Sequence, residues 1–125
     1  MATLKIYNSI ADEEPSKEYV CLRTSMAINN NLDELVDEAN ELQKGVKDKL
    51  ALITDKTSDK ELKQIKADIK EIEVKMTNNT LETIRLFFPD FTDDDFLKLD
   101  PYDYQTFILE IGELRNKIYN RASKN

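Results

Sequence analysis

Acidic and aromatic side chains are interleaved near the C-terminal end of the chain. Eight of its ten aromatic residues lie between Phe87 and Tyr119, and six aspartates stand among them: Asp90, Asp93, Asp94, Asp95, Asp100 and Asp103. Carboxylates spaced in this way could bind calcium, could pair for acid–base catalysis, or could cap helices. Large aromatic rings in an acidic frame form either the core of a small domain or the anchors of a protein-binding surface.

Several kinds of chemistry are excluded by residues that the chain does not contain. Counted from Asp90, positions six and twelve of a calcium-binding EF-hand loop fall on Asp95 and Pro101 instead of Gly and Glu. The absence of His and the single Cys exclude histidine-based catalysis and a thiolate zinc site. Gly45 and Gly112 are the only glycines, so there is neither a P-loop nor a dinucleotide-binding fingerprint. We therefore expect a protein that is not an enzyme and that has no metal or cofactor.

Length and composition favour one small, soluble, helix-rich domain covering residues 1–125. The chain is 40% hydrophobic and 34% charged, with a net charge of −7, which disfavours binding to nucleic acid or to anionic membranes. No apolar run reaches the roughly 20 residues of a membrane span, and the N-terminal residues lack the apolar core of a signal peptide. The lone Cys21 fits a reducing compartment. These features predict a cytoplasmic protein.

The first 30 residues are predicted to be rich in β-strand. Residues 4–8 and 18–24 alternate in side-chain character and are rich in Ile, Tyr and Val, which indicates two short strands or a hairpin. The alternation predicts that Cys21 occupies a buried strand position. Two strands alone are marginally stable, so we expect them to pack on the helices that follow.

Residues 31–77 have the pattern of an antiparallel helical hairpin. The first helix is expected to begin after a cap at Asn31 and to bury a stripe that repeats every three or four residues: Leu32, Leu35, Val36, Ala39, Leu42, Val46 and Leu50. Ser58 and Glu61 form a capping box for the second helix. That helix carries a coiled-coil-like seam of Leu62, Ile65, Ile69, Ile72 and Met76, through which the chain could also self-associate.

Residues 78–122 are predicted to form a C-terminal bundle of three helices. The first runs from a cap at Asn79 to Pro89, and the second is a short helix capped by Thr92 together with Asp95. The third spans roughly 102–121, after a cap at Asp100 and a first-turn proline, Pro101. The last helix should bury Phe107, Ile108, Ile111, Leu114 and Ile118, and Gly112 either weakens it or permits close packing. The expected fold is therefore mainly α, with a short N-terminal β-hairpin, a helical hairpin and this bundle, or α+β if the β-hairpin is extended.

The order of these elements resembles the tail assembly chaperones of phages with long, non-contractile tails and of related prophages of Gram-positive bacteria. A strand-like start and a charged helical middle lead into an aromatic pair, a Phe-Thr turn and a short helix with an acidic start. That pattern is carried by Leu86, Phe87, Phe88, Phe91, Thr92, Asp94, Asp95, Phe96 and Leu99. Pro89 follows the aromatic pair, where many members of the family have Gly. The resemblance covers nearly the whole chain.

The resemblance implies a function in phage tail morphogenesis. Such chaperones bind the long helical tape measure protein in the host cytoplasm, help to recruit tail tube subunits around it, and are absent from the mature virion. Because the tape measure protein presents apolar helical stripes, its chaperone needs an exposed apolar groove with a polar rim. The C-terminal block is the expected place for that groove, with Phe88, Phe91, Phe96, Leu97, Tyr102 and Tyr104 as anchors; for each of them, burial in the core is the alternative.

Two other classes of function fit the same sequence. An acidic, phage-encoded inhibitor that mimics DNA would present carboxylates to a basic protein, which the aspartate-rich segment favours. The charge-balanced seam helix and the basic C-terminal tail count against it, because a mimic should be acidic along a continuous face. A helical scaffold or adaptor would use the Leu62–Met76 seam and should be a stable oligomer without any partner.

Overall fold

The computed structural model describes the chain from residue 1 to residue 123, with side chains described as far as Asn116. Strands β1 (Ala2–Ile6) and β2 (Lys17–Cys21) come first, followed by helices α1 (Met26–Ala51), α2 (Asp59–Phe87), α3 (Asp93–Leu97) and α4 (Pro101–Ser123). The predicted class, mainly α with a short N-terminal β-hairpin, is confirmed. The chain divides into two compact units. The terminal unit comprises Met1–Asn30 and the chain from Ile84 onwards, and the hairpin unit comprises Asn31–Thr83.

Strands β1 and β2 pair antiparallel, with Leu4 opposite Tyr19. The period-two alternation of β1 places Ala2, Leu4 and Ile6 in the core. On the outer edge of β1, the backbone N–H of Thr3 donates to Glu110 Oε1 of α4 at 3.2 Å. This contact satisfies a strand-edge donor that would otherwise be open to another chain. Cys21, predicted to be buried, is half-buried at the end of β2, where the strand pairing stops.

Aromatic rings from both ends of the sequence form the core of the terminal unit. The ring of Tyr19 lies 5.2 Å from that of Phe88 and 5.3 Å from that of Phe91, and Phe88 lies 5.5 Å from Phe107. These separations lie in the range that favours aromatic pairs. The remaining large buried side chains of this core are Leu4, Ile6, Ile84, Ile111 and Leu114. The C-terminal aromatic cluster therefore supplies much of this hydrophobic core.

Helix α1 begins five residues earlier than the predicted cap at Asn31. Its first turn is capped by Ser25, whose Oγ accepts from the N–H of Ile28 at 3.2 Å. Asn29 is fully buried and accepts a 2.9 Å hydrogen bond from the hydroxyl of Thr24. The expected boundary was wrong because the low helix propensity of the three consecutive asparagines, Asn29 to Asn31, is outweighed by local hydrogen bonds that start the helix before them, from Ile28 to Ser25 and from Thr24 to Asn29.

The hairpin unit contains the predicted antiparallel pair of helices. Lys49 Nζ lies 3.2 Å from Asp68 Oδ2, and Asn79 Nδ2 donates to the carbonyl oxygen of Leu35 at 2.9 Å. Leu35, the earlier residue of α1, contacts the later residue of α2, Asn79, whereas Lys49 contacts the earlier one, Asp68. The two helices therefore run in opposite directions. Gly45 of α1 faces Ile72 of α2, since a Cβ built at Gly45 would lie in van der Waals contact with Cδ1 of Ile72, at 3.4 Å.

Helix α2 continues without a break through Asn79, where a separate helix was expected to start. The Asn79 side chain is buried and bonds to α1 instead of capping its own backbone. The hydroxyl of Thr83 donates to the carbonyl oxygen of Asn79 at 2.8 Å, one turn along the same helix. The sequence pattern of a cap was therefore misleading, because Asn is equally able to hydrogen-bond across a helix pair. The helix ends at Phe87, two residues before Pro89, as predicted.

The last helix begins as the sequence predicts. Asp100 Oδ1 accepts from the N–H of Tyr102 at 2.7 Å, and Pro101 occupies the first helical position. Among the residues that the structure describes, no heavy atom lies within 4 Å of a Cβ built at Gly112, which favours the expectation that this glycine weakens the helix. Phe107, Ile111 and Leu114 are buried and Ile108 is half-buried; Ile118 lies beyond the described side chains.

Candidate functional site

Helix α3 is fixed to the β-hairpin by one buried aspartate. Thr92 and Asp95 form the predicted capping box, in which each side chain accepts a hydrogen bond from the other's backbone N–H. The same Asp95 carboxylate accepts hydrogen bonds from the Tyr19 hydroxyl and, at 3.0 Å, from Lys17 Nζ. Strand β2 is thereby joined to the short helix that carries Phe96 and Leu97.

The electrostatics of this cluster indicate a structural function. Burial opposes ionisation of Asp95, but the hydrogen bonds from Tyr19, Lys17 and Thr92 outweigh it and lower the pKa of Asp95 to about 2. For Tyr19, burial and the hydrogen bond to Asp95 raise the pKa above its usual value of 10. A carboxylate that stays ionised and a phenol that stays protonated near neutral pH are poorly matched to acid–base catalysis at that pH. The cluster therefore holds β2 and α3 together.

Next to this cluster, a cleft of about 560 Å³ opens on the surface of the terminal unit. One wall is the β1–β2 loop, and the other is the segment from the end of α3 to the start of α4. Its apolar lining is Tyr7, Ile10, Leu97, Leu99 and Pro101, and its polar lining is Ser9, Asp12, Glu13, Lys98, Asp100 and Asp103. We call this feature the acidic cleft.

Hydrogen bonds within the loop and between the two walls hold the acidic cleft in place. In the loop, the N–H of Ser9 donates to Asp12 Oδ2 at 3.1 Å, and the N–H of Asp12 donates back to the carbonyl oxygen of Ser9 at 3.0 Å. Lys98 Nζ donates to Asn8 Oδ1 at 3.3 Å and so links the two walls. The cleft is therefore a structured feature of the surface, in spite of the exposure of its loop.

Negative charge dominates the rim of the acidic cleft, where four carboxylates accompany one ammonium group. Burial raises the pKa of Asp103, and the neighbouring charge of Asp100 raises it further, whereas Lys5 lowers it. A positively charged group placed between these carboxylates would reduce their mutual electrostatic repulsion. An apolar floor inside an acidic rim fits a peptide or helix with apolar side chains flanked by Lys or Arg.

The six predicted anchors divide into two groups. Leu97 and Tyr102 are exposed, by 82% and 76%. Leu97 lines the acidic cleft, and Tyr102 lines a smaller depression of about 260 Å³ beside β1. Asp103 lines both depressions, so the two anchors stand on adjoining parts of one surface.

Phe88 and Phe91 are core residues, exposed by only 6% and 2%, so their prediction as anchors of an open groove is corrected. The reason is the β-hairpin, which brings Tyr19 over both rings. Phe96 and Tyr104 are half-buried, and burial raises the pKa of Tyr104. Neither Phe96 nor Tyr104 lines the acidic cleft or the smaller depression beside β1.

Sequence reasoning missed one wall of the cleft. The segment after β1 reads as a polar turn, and Ile10 within it gave no periodic signal. In the structure Ile10 is fully exposed and lies across the cleft from Leu97. The one sequence signal was a large apolar residue in an acidic loop, which is weak because single apolar residues are common on protein surfaces.

Within the part of the chain that is described, no group of three or more Cys, Asp or Glu side chains is arranged to hold a metal ion. None of the described helices has the length and apolar character needed to cross a bilayer. No protein-family model matches the chain, and neither a curated protein nor a solved structure matches it.

Proposed function

We propose that this protein is a phage tail assembly chaperone that binds the tape measure protein and helps to recruit tail tube subunits during tail morphogenesis. It acts in the host cytoplasm and is absent from the mature virion. It is not an enzyme: its function is to hold an apolar helical partner in solution until the tail tube encloses it.

The observation that carries the proposal is the acidic cleft with the exposed Leu97 and Ile10 at its walls. A chaperone for a long helical protein needs accessible apolar side chains that are fixed in place, so that little conformational entropy is lost on binding. The Asp95 cluster fixes α3, and the loop hydrogen bonds fix the facing wall. The sequence pattern that resembles the chaperone family, Leu86–Leu99, builds this same part of the molecule.

The rim defines which segments of the partner the cleft should prefer. An amphipathic helix that places Leu or Phe into the cleft and Lys or Arg at its margin would meet both the apolar floor and the carboxylates. Apolar contact should supply most of the affinity, whereas the charges should mainly increase the association rate and the specificity. Binding should therefore persist at high salt.

The test is co-expression with the tape measure protein encoded by the same phage genome. The wild-type chain should keep that protein soluble and co-purify with it in 0.5 M salt. Leu97→Ser should abolish the complex, because it removes an exposed apolar contact. Leu109→Ser is the matched control, since Leu109 is a leucine exposed by 72% that lines neither described depression.

Three outcomes would contradict the proposal. The tape measure protein could remain insoluble with the wild-type chain, or the complex could survive Leu97→Ser as well as it survives Leu109→Ser. Alternatively, the chain could bind a nuclease or repressor in low salt and release it at 0.5 M, which is the behaviour of a DNA mimic.

A further inference from the structure

The hairpin unit has an apolar stripe on each helix that the other helix covers only in part. On α2, Ile65 is buried, whereas Leu62, Ile69, Ile72 and Met76 are only half-buried. On α1, Leu32 is buried, but Leu35, Ala39, Leu42 and Val46 are half-buried. Val36 and Leu50, at the margin of the α1 stripe, are exposed by 45% and 52%.

The contacts between α1 and α2 lie along one edge of each stripe. Gly45 and Lys49 of α1 meet Ile72 and Asp68 of α2. An α-helix turns by roughly 100° per residue. The far edge of each apolar stripe therefore points about a quarter to a third of a turn away from the line along which α1 and α2 touch. Because the helices are antiparallel, both free edges turn towards the same side. The hairpin unit therefore has one continuous apolar face.

Charge along α1 distinguishes what could cover this face. The N-terminal half carries five acids and no base from Asp33 to Glu41, and the C-terminal half carries Lys44, Lys47 and Lys49 with one acid, Asp48. A second α1 laid antiparallel on the first would set each acidic half beside a basic half. Helix α2 would not oppose this arrangement, because residues 59–75 hold five Lys and five acids.

The size of the face suits such a dimer. The 21 residues from Asn31 to Ala51 span about 31 Å, and two packed helices are roughly 20 Å wide, so each copy could bury on the order of 600 Å². The total of about 1,200 Å² reaches the lower end of the range found for specific protein interfaces.

We propose that the hairpin unit pairs with a second copy of this chain, face to face, to form a four-helix bundle in which α1 packs antiparallel against α1 of the second copy and α2 against its α2. The acidic cleft is lined by residues of the terminal unit, whereas this interface is formed by residues of the hairpin unit. Each dimer would then carry two acidic clefts, which would increase its avidity for a long helical partner.

Sedimentation equilibrium of the full chain tests the proposal. At micromolar concentrations the mass should be twice the 14.5 kDa of one chain. The double variant Val36→Lys, Leu50→Lys should weaken the dimer at least tenfold and leave the helical content unchanged, because both side chains are already exposed. Val74→Lys, at a valine of α2 exposed by 57% that lies off the seam, should change the dissociation constant less than twofold.

Disulfide trapping tests the orientation. In a Cys21→Ser background, Gln43→Cys lies near the centre of the antiparallel α1 pair and on the side of the apolar stripe, so it should form a covalent dimer on oxidation. Glu41→Cys, two residues away on the opposite side of α1, should not. A monomer at 50 µM, a dimer unaffected by the double variant, or equal crosslinking at both positions would overturn the proposal.

Discussion

Replacing Asp95 by Asn should destabilise the terminal unit by an amount that depends on pH. The pKa of Asp95 is about 2 in the folded chain, against a usual value of 3.8. At about 1.36 kcal/mol per pKa unit, the ionised carboxylate stabilises the fold by about 2 kcal/mol. Asn keeps the shape and can still accept a hydrogen bond from Tyr19, but it removes the charge that Lys17 and Tyr19 face.

The sign of the pH dependence follows from the lowered pKa. The stabilisation is fully present above the unfolded-state value near 3.8 and is lost as the pH falls through about 2. Urea denaturation should therefore give a free energy of unfolding about 2 kcal/mol lower for Asp95→Asn than for the wild-type chain at pH 7. The difference should fall to less than about half of that by pH 2.5.

The control is Asp94→Asn, one residue earlier in α3. Asp94 is exposed, so its replacement should change the free energy of unfolding by less than about 0.5 kcal/mol at either pH. A loss at pH 7 of the same size for both variants would refute the assignment of the stabilisation to the buried cluster. So would a loss for Asp95→Asn that is unchanged between pH 7 and pH 2.5.

Three further substitutions test other contacts by the same urea measurement. Phe91→Ala should lower the free energy of unfolding by about 3–5 kcal/mol, because it leaves a cavity among buried rings; a loss below 1 kcal/mol would mean that Phe91 is not a core residue. Asn79→Ala should lower it by about 1–2 kcal/mol through loss of the hydrogen bond to Leu35, and an unchanged midpoint would contradict that contact. Gly112→Ala should raise it by about 0.5–1 kcal/mol, because no atom lies where the new methyl group would stand, whereas a decrease would show a hidden close contact.

Local signals in the sequence predicted most of the elements correctly. The Thr92–Asp95 capping box, the cap at Asp100 before Pro101, and the end of α2 before Pro89 each depend on residues a few positions apart. The helical hairpin follows from apolar periodicity, which persists over many turns and outweighs single unfavourable residues.

One wrong helix boundary has a local cause: Asn31 lies inside α1 because Ser25 caps an earlier start of that helix. The other depends on a long-range contact: Asn79 has a side chain typical of a helix cap, yet it lies inside α2 and bonds to Leu35 of α1. No local pattern distinguishes these two uses of Asn.

The candidate site was predictable only in part for the same reason. The exposure of Leu97 and Tyr102 and the burial of Phe88 and Phe91 depend on how strand β2 and its Tyr19 lie on the C-terminal aromatic residues. Of the six side chains expected to be anchors in the C-terminal block, Leu97 and Tyr102 are exposed. The facing wall, with Ile10, comes from a loop about 90 residues away, which the sequence does not place beside it.

The most direct test of the proposed function is the solubility of the tape measure protein encoded in the same genome when it is made with and without this chain. The proposed function predicts that the tape measure protein is insoluble alone, soluble with the wild-type chain or with Leu109→Ser, and insoluble again with Leu97→Ser. If its solubility is the same with and without the wild-type chain, the protein is not its chaperone.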